Sequence, residues 1–181
     1  ELGMSDRELW KFAATYGVIP ARLSGLLPGS PEGIWFLVTL FTAQFLHGGW
    51  FHLLGNMLYL WVFADNVEDR MGRWRFAGFY LVAGALANFI HAAVNSTSPV
   101  PTIGASGAVA GVLGAYFVMF PRARVQALLP LGIFLYVTEL PAVLFLFLWF
   151  FLQLASGAAS IGLPPSVTGA VAWWAHVGGF L

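Results

Sequence analysis

The chain contains no cysteine, which excludes disulfides, thiol catalysis and thiolate metal sites. Charge is also scarce. Asp, Glu, Lys and Arg make up 9% of the 181 residues, where a soluble domain carries about 25%. Eight basic side chains balance eight acidic ones, and no basic run offers nucleic acid an electrostatic footprint. The sequence begins at Glu1 without a methionine and stops at Leu181 inside an apolar run, so it reads as a fragment of a longer chain. Apolar surface is what it has in abundance: 59% of the residues are hydrophobic. That balance defines a polytopic membrane protein, all-α because lipid leaves a spanning backbone few other ways to satisfy its hydrogen bonds.

The first 35 residues are mixed. Ser5-Asp6-Arg7-Glu8 has the form of a helix N-terminus, and Leu9, Trp10, Phe12, Ala13 and Tyr16 follow as a short apolar face. Pro20, Pro28, Gly29 and Pro31 break what comes next, leaving a segment suited to the membrane interface. Trp35 to Leu46 is expected to dip into the bilayer or lie along it, and Trp50 to Ala64 to span. Asp65 to Arg75 holds six of the sixteen charged side chains and is expected to be a water-exposed loop. Phe76 to Val94 and Ile103 to Phe120 are the next spans, near the length of about 20 residues that a bilayer requires. Gly104, Gly107, Ala108, Gly111, Gly114 and Ala115 give the second of these a small-residue stripe that allows close helix approach. Pro130 and Gly132 break the following stretch, and Glu139-Leu140-Pro141 reads as the start of a span ending near Leu154. Ser156 to Thr168 is expected to be a loop and Gly169 to Leu181 the opening of a last helix.

The segments around 65–75 and 121–125 carry five of the eight Lys and Arg residues, so they are assigned to the cytoplasmic side. His52, Ser106 and His176 then fall near the non-cytoplasmic ends of three different spans. A serine hydroxyl is a poor nucleophile without a base. It also needs donors aimed at the developing oxyanion, worth about 3–4 kcal/mol each in known hydrolases. Ser106 opens a helix and supplies its own N–H; His52 and Asn56, four residues apart, share one helical face; His176, beside Gly178-Gly179, is the candidate base. Gly-x-Ser-Gly alone is more often the mark of a tightly packed membrane helix, and His91, with no polar motif around it, reads as a packing residue. Three polar groups at one depth, where polar side chains are expensive, together point to function. No metal or organic cofactor is expected, because the step from His47 to His52 crosses Gly48-Gly49 and does not place both on one face.

The stretch His47-Gly48-Gly49-Trp50-Phe51-His52-Leu53-Leu54-Gly55-Asn56 resembles the His-x4-His-x3-Asn signature of the rhomboid intramembrane serine proteases. Gly104-Ala105-Ser106-Gly107 is similar to their nucleophile motif, Ala175-His176-Val177-Gly178-Gly179 to their final-helix histidine motif, and Glu68-Asp69-Arg70-Met71-Gly72 to the turn after their second helix.

The resemblance implies a single rhomboid-like membrane domain over 1–181, part of a bundle of six core helices. Residues 1–46 would form the first external or interfacial loop, and 47–181 would hold helices two to five and the start of helix six. Ser106 would be the nucleophile, His176 its base in a dyad without a carboxylate, and His52, Asn56 and the Ser106 N–H the oxyanion hole. His47 would bond within its loop, while Glu68, Arg70 and Gly72 would brace the cytoplasmic turn. Two departures stand out: Val38 and Thr39 lie where some family members carry a Trp-Arg pair, and Ala110 lies where many carry a tyrosine that stacks on the catalytic histidine. Trp173, Trp174 or Tyr116 would then hold His176. The implied activity is cleavage of transmembrane segments near the non-cytoplasmic face, with access beside helices two and five under a cap within Gly157 to Thr168. The implied partners are transmembrane protein substrates and the lipid bilayer, in a bacterial-type cell membrane. The alternative is an inactive relative that binds client helices without cutting them. As a fragment lacking helix one and part of helix six, the piece is expected to be unstable or inactive alone.

Overall fold

The computed structural model describes residues 5–26, 31–131, 134–163 and 171–181. It is a helical bundle with one β-hairpin. Helix α1 (Asp6–Tyr16) starts as the sequence predicts: the Glu8 carboxylate accepts the Ser5 N–H at 2.8 Å and its hydroxyl at 2.7 Å. These bonds, the backbone one first, hold the Glu8 carboxyl below its ordinary pKa. A 3₁₀ segment (Pro20–Leu26) leads to α2 (Pro31–Thr42), and α3 (Trp50–Met71) leaves α2 at a bend of 82°.

Helix α3 does not stop at Ala64, and the charged stretch after it is not a loop. The helix runs through Asp65, Glu68 and Asp69 to Met71, and α4 (Arg73–Val94) begins after a single intervening residue. Charged side chains leave the apolar phase by facing outward, with no need to unwind the backbone. The break comes instead at Gly72, whose φ of +84° lies in the left-handed region that side chains disfavour. Its N–H closes α3 on the Glu68 carbonyl at 2.7 Å.

Helix α5 (Ser106–Met119) is the centre of the molecule, with Gly107 through Gly114 all buried. Small residues make this possible. A Cβ on Gly111 would lie 2.7 Å from the Ala83 Cβ, and one on Gly107 2.7 Å from the Ala87 Cβ, so α4 packs almost backbone to backbone against α5. The last helix, α7 (Trp173–Phe180), closes on another side of α5, where Gly114 meets the Phe180 carbonyl. Phe63 and Val67 of α3 meet Val112, Leu113 and Tyr116 of α5 and Leu146 of α6 (Ala142–Ser160) in the main apolar core. A second core, around Val18, Phe36, Leu40 and Ala43, fastens the N-terminal segment to Ala85 and Ala92 of α4.

Between α5 and α6 lies the element the sequence reading missed. Strands β1 (Arg124–Leu131) and β2 (Phe134–Pro141) pair antiparallel, with Val125 opposite Leu140 and Leu128 opposite Val137. Pro130 rules out a helix here but is tolerated in a two-stranded ribbon, where one edge of each strand is unpaired. Glu139 is exposed on β2 and pairs with Arg124 at 3.3 Å, so it opens no span. The Ala142 N–H donates to the Ala123 carbonyl at 2.9 Å, which closes the base of the hairpin and starts α6 beside the end of α5. Helix α6 then continues to Ser160, past the expected stop near Leu154, with Gly157 buried where α6 packs against Trp173 and Trp174. Helices α4 and α6 are each long and apolar enough to cross a membrane, and the bent α2–α3 pair passes the same test together.

Candidate functional site

The loop entering α5 is clamped from the N-terminal segment. Val18 and Thr102 exchange both backbone hydrogen bonds, at 2.9 and 2.7 Å, and the Gly104 N–H donates to the Ala43 carbonyl at 2.9 Å. Gly104 itself has φ +137°. A methyl group on it would lie 2.7 Å from the His52 Cε1, 2.8 Å from its Nε2 and 3.6 Å from the Ser106 Oγ. The imidazole edge and the hydroxyl therefore flank the same bare Cα.

His52 and Asn56 sit one turn apart on α3, as their spacing predicts. The His52 Nδ1 accepts the Gly48 N–H at 3.4 Å. A neutral ring accepting at Nδ1 carries its proton on Nε2, so the edge turned toward Gly104 and Ser106 is a donor. Asn56 is buried, and one of its amide hydrogens goes to the His52 carbonyl at 3.0 Å. An amide has two donor hydrogens, which leaves one for the cavity.

His176 reaches the same place from α7. A Cβ on Gly107 would lie 3.6 Å from the Ala175 carbonyl and 3.7 Å from the Ala175 Cβ, so the residues adjoining Ser106 and His176 are in contact. One cavity of about 490 Å³ is lined by His52, Asn56, Ser106 and His176 together, with Tyr59, Trp149 and Gln153 completing its polar and aromatic wall. Among the described residues no acidic side chain lines it.

Other expectations fare differently. Of the residues offered to hold His176, Trp173 meets its ring edge-on at 6.2 Å, whereas Trp174 packs on Gly157 and Tyr116 on Phe63 and Phe120. The contacts absent from the sequence reading come from α6: Trp149 lies 5.9 Å from the imidazole, and the Gln153 Oε1 is 2.7 Å from its Nδ1. The one sequence signal was Gln153 itself, an amide in an otherwise apolar run. His47 makes no hydrogen bond through its buried Nε2 among the described residues; its ring packs edge-on against His52 at 5.2 Å. Glu68 pairs with Arg73 across the Gly72 break at 3.7 Å, and Arg70 is exposed. The segment assigned to a cap is helical to Ser160, and its residues 164–168 lie outside the described residues.

Apolar spans packed around a short glycine-rich helix, with a polar cavity at its N-terminus, define a helical membrane-protein bundle. The chain belongs to the rhomboid family: the rhomboid domain matches residues 35–181. It is similar to the human "Presenilin-associated rhomboid-like protein, mitochondrial", 32% identical over 105 residues, covering 56% of this chain and 28% of that relative. It is similar to the Saccharomyces cerevisiae "Rhomboid protein 1, mitochondrial", 33% identical over 92 residues, covering 49% of this chain and 27% of the relative. It also matches the Arabidopsis thaliana "RHOMBOID-like protein 5", 33% identical over 76 residues, covering 42% of this chain and 25% of the relative. The matched segment thus spans about a quarter of each of these relatives. No solved structure matches. The human and yeast relatives are named as mitochondrial, and the comparisons lend no support to the bacterial-type membrane expected from the sequence.

Proposed function

We propose that this chain is the catalytic core of an intramembrane serine endopeptidase, with Ser106 as nucleophile and His176 as general base. The observation that carries the reading is the shared cavity: Ser106, His176, His52 and Asn56 reach it from α5, α7 and α3.

The chemistry follows from those positions. The Ser106 Oγ attacks a peptide carbonyl carbon, and His176 takes the hydroxyl proton. The carbonyl oxygen becomes an oxyanion facing the Ser106 N–H at the start of α5, the Nε2–H edge of His52 and the second Asn56 amide hydrogen. Collapse breaks the C–N bond, and the proton held by His176 goes to the leaving amine. Water then hydrolyses the acyl-enzyme by the same path in reverse, with His176 again as base.

Placement in the bilayer supports the reading. Helix α5 has 14 residues, which at about 1.5 Å each makes about 21 Å, against a hydrocarbon thickness of about 30 Å. With Arg122 and Arg124 in water at its C-terminal end, Ser106 starts below the opposite surface, where the substrate is a membrane-spanning segment. Access from lipid fits the side between α3 and α6, which face each other through the Tyr59–Trp149 and Phe63–Phe145 ring pairs at 6.4 and 6.2 Å. A seam held by side-chain rings separates more readily than the backbone-close packing on the α4 side.

The test uses the full-length protein in detergent or liposomes, with a fluorophosphonate probe and a single-span reporter substrate. Wild type is expected to label and cleave, while Ser106→Ala and His176→Ala do neither. Cleavage that survives Ser106→Ala would refute the nucleophile assignment. A folded wild type that neither labels nor cleaves would favour client binding without proteolysis.

A further inference from the structure

The position that would bear a stacking tyrosine on α5 is Ala110, buried and too short to reach an imidazole. His176 is gripped from α6 instead. Gln153 Oε1 lies 2.7 Å from His176 Nδ1, and Trp149, one turn earlier on α6, lies against the ring at a 33° tilt. From Ala142 to Leu154, Gln153 is the only side chain that is neither aliphatic nor aromatic. A polar side chain in such a run is unfavourable in lipid unless it finds a partner. Here the partner is the histidine.

We propose that Gln153 is the positioning residue of His176, its amide oxygen accepting the Nδ1 proton so that the bare Nε2 is presented to the cavity. The assignment rests on the reading of Ser106 and His176 as nucleophile and base. A neutral imidazole has one proton, and the hydrogen bond at one nitrogen decides which nitrogen keeps it. A ring with Nδ1 unpartnered would share its proton between both nitrogens, and the fraction protonated at Nε2 could not act as a base toward Ser106. An amide fixes the tautomer as a carboxylate does in a triad, without burying a charge in the bilayer. The aromatic rings fix the plane: Trp149 lies against one side and Trp173 meets the imidazole edge-on.

Four versions of the full-length protein test this: wild type, Q153M, Q153E and Ser106→Ala. Methionine keeps the volume and removes the acceptor; glutamate keeps an acceptor at the same reach. The expected result is that Q153M lowers kcat about 10- to 100-fold with KM little changed, and that Q153E recovers most of the loss. ¹⁵N spectra of histidine-labelled protein should show His176 protonated at Nδ1 in wild type and as a tautomer mixture in Q153M. A Q153M protein with the wild-type rate, or a Q153E protein as slow as Q153M, would overturn the proposal. If Q153M does not fold, the wild-type spectrum decides: a proton on Nε2 overturns the assignment, a proton on Nδ1 supports it. Labelling that persists in Ser106→Ala is a separate failure, that of the dyad itself, and removes the assignment with it.

Discussion

Gly179 lies directly against the backbone carbonyl of Gly107. Gly107 follows Ser106, and Gly179 is three residues after His176, on the same face of α7. This contact therefore sets the depth of the imidazole relative to the hydroxyl. A Cβ on Gly179 would overlap that carbonyl and lie 3.2 Å from the Ala110 Cβ. Gly179→Ala is expected to force the helices apart, destabilising the bundle by about 1–3 kcal/mol and lowering fluorophosphonate labelling more than in proportion. Thermal unfolding in detergent, read beside the labelling rate of the fraction still folded, separates the two effects.

Gly104→Ala combines two faults: a φ of +137° that alanine disfavours, and a methyl placed 2.7 Å from the His52 ring. The backbone term is about 1 kcal/mol, so the protein should fold. The displaced His52 donor should lower kcat with little change in reporter-substrate binding. A variant with wild-type kcat would show that this edge of His52 does not serve the reaction.

On the proposed mechanism Asn56 gives one amide hydrogen to the His52 carbonyl and the other to the oxyanion. Asn56→Ala is expected to reduce kcat by about 10²–10³ while leaving fold and substrate binding in place. Asn56→Asp, which has no hydrogen to donate, should do no better. A loss confined to KM would argue against an oxyanion role.

Asn88 of α4 is buried, and its amide donates to the Leu40 carbonyl at 2.9 Å; the same carbonyl accepts from Gln44 at 3.0 Å. Asn88→Ala deletes the bond by which α4 fastens the end of α2. The expected cost is about 1–3 kcal/mol, seen as faster hydrogen exchange in α2 ahead of the other helices. Uniform exchange across the bundle would mean that α2 and α4 open as one unit.

Helix α5 was legible because its small residues recur at helical spacing and Pro121 ends it. The His52–Asn56 pair was legible because four residues make one turn. The charged stretch after Ala64 misled because charge density was read as loop, when a helix can carry exposed charge to its last turn; Gly72 was the true boundary signal. The hairpin escaped because its apolar strands adjoin spans, and Pro130 and Gly132 mark a break without showing what pairs across it. Gln153 escaped because one amide in an apolar helix carries no period and no motif.

Composition alone determined that the chain seeks lipid, because no soluble core could hide so much apolar surface with so few charges. Local spacing determined which residues share a helical face and where most helices begin. Only the tertiary structure decided that α7 lies at the register which brings His176 to the cavity that Ser106 lines, that α6 and not α5 holds the imidazole, and that Thr102 ties the serine loop to Val18. Those are contacts between residues far apart in the chain, fixed by which small residues let backbones touch and which buried donors found acceptors across the gap.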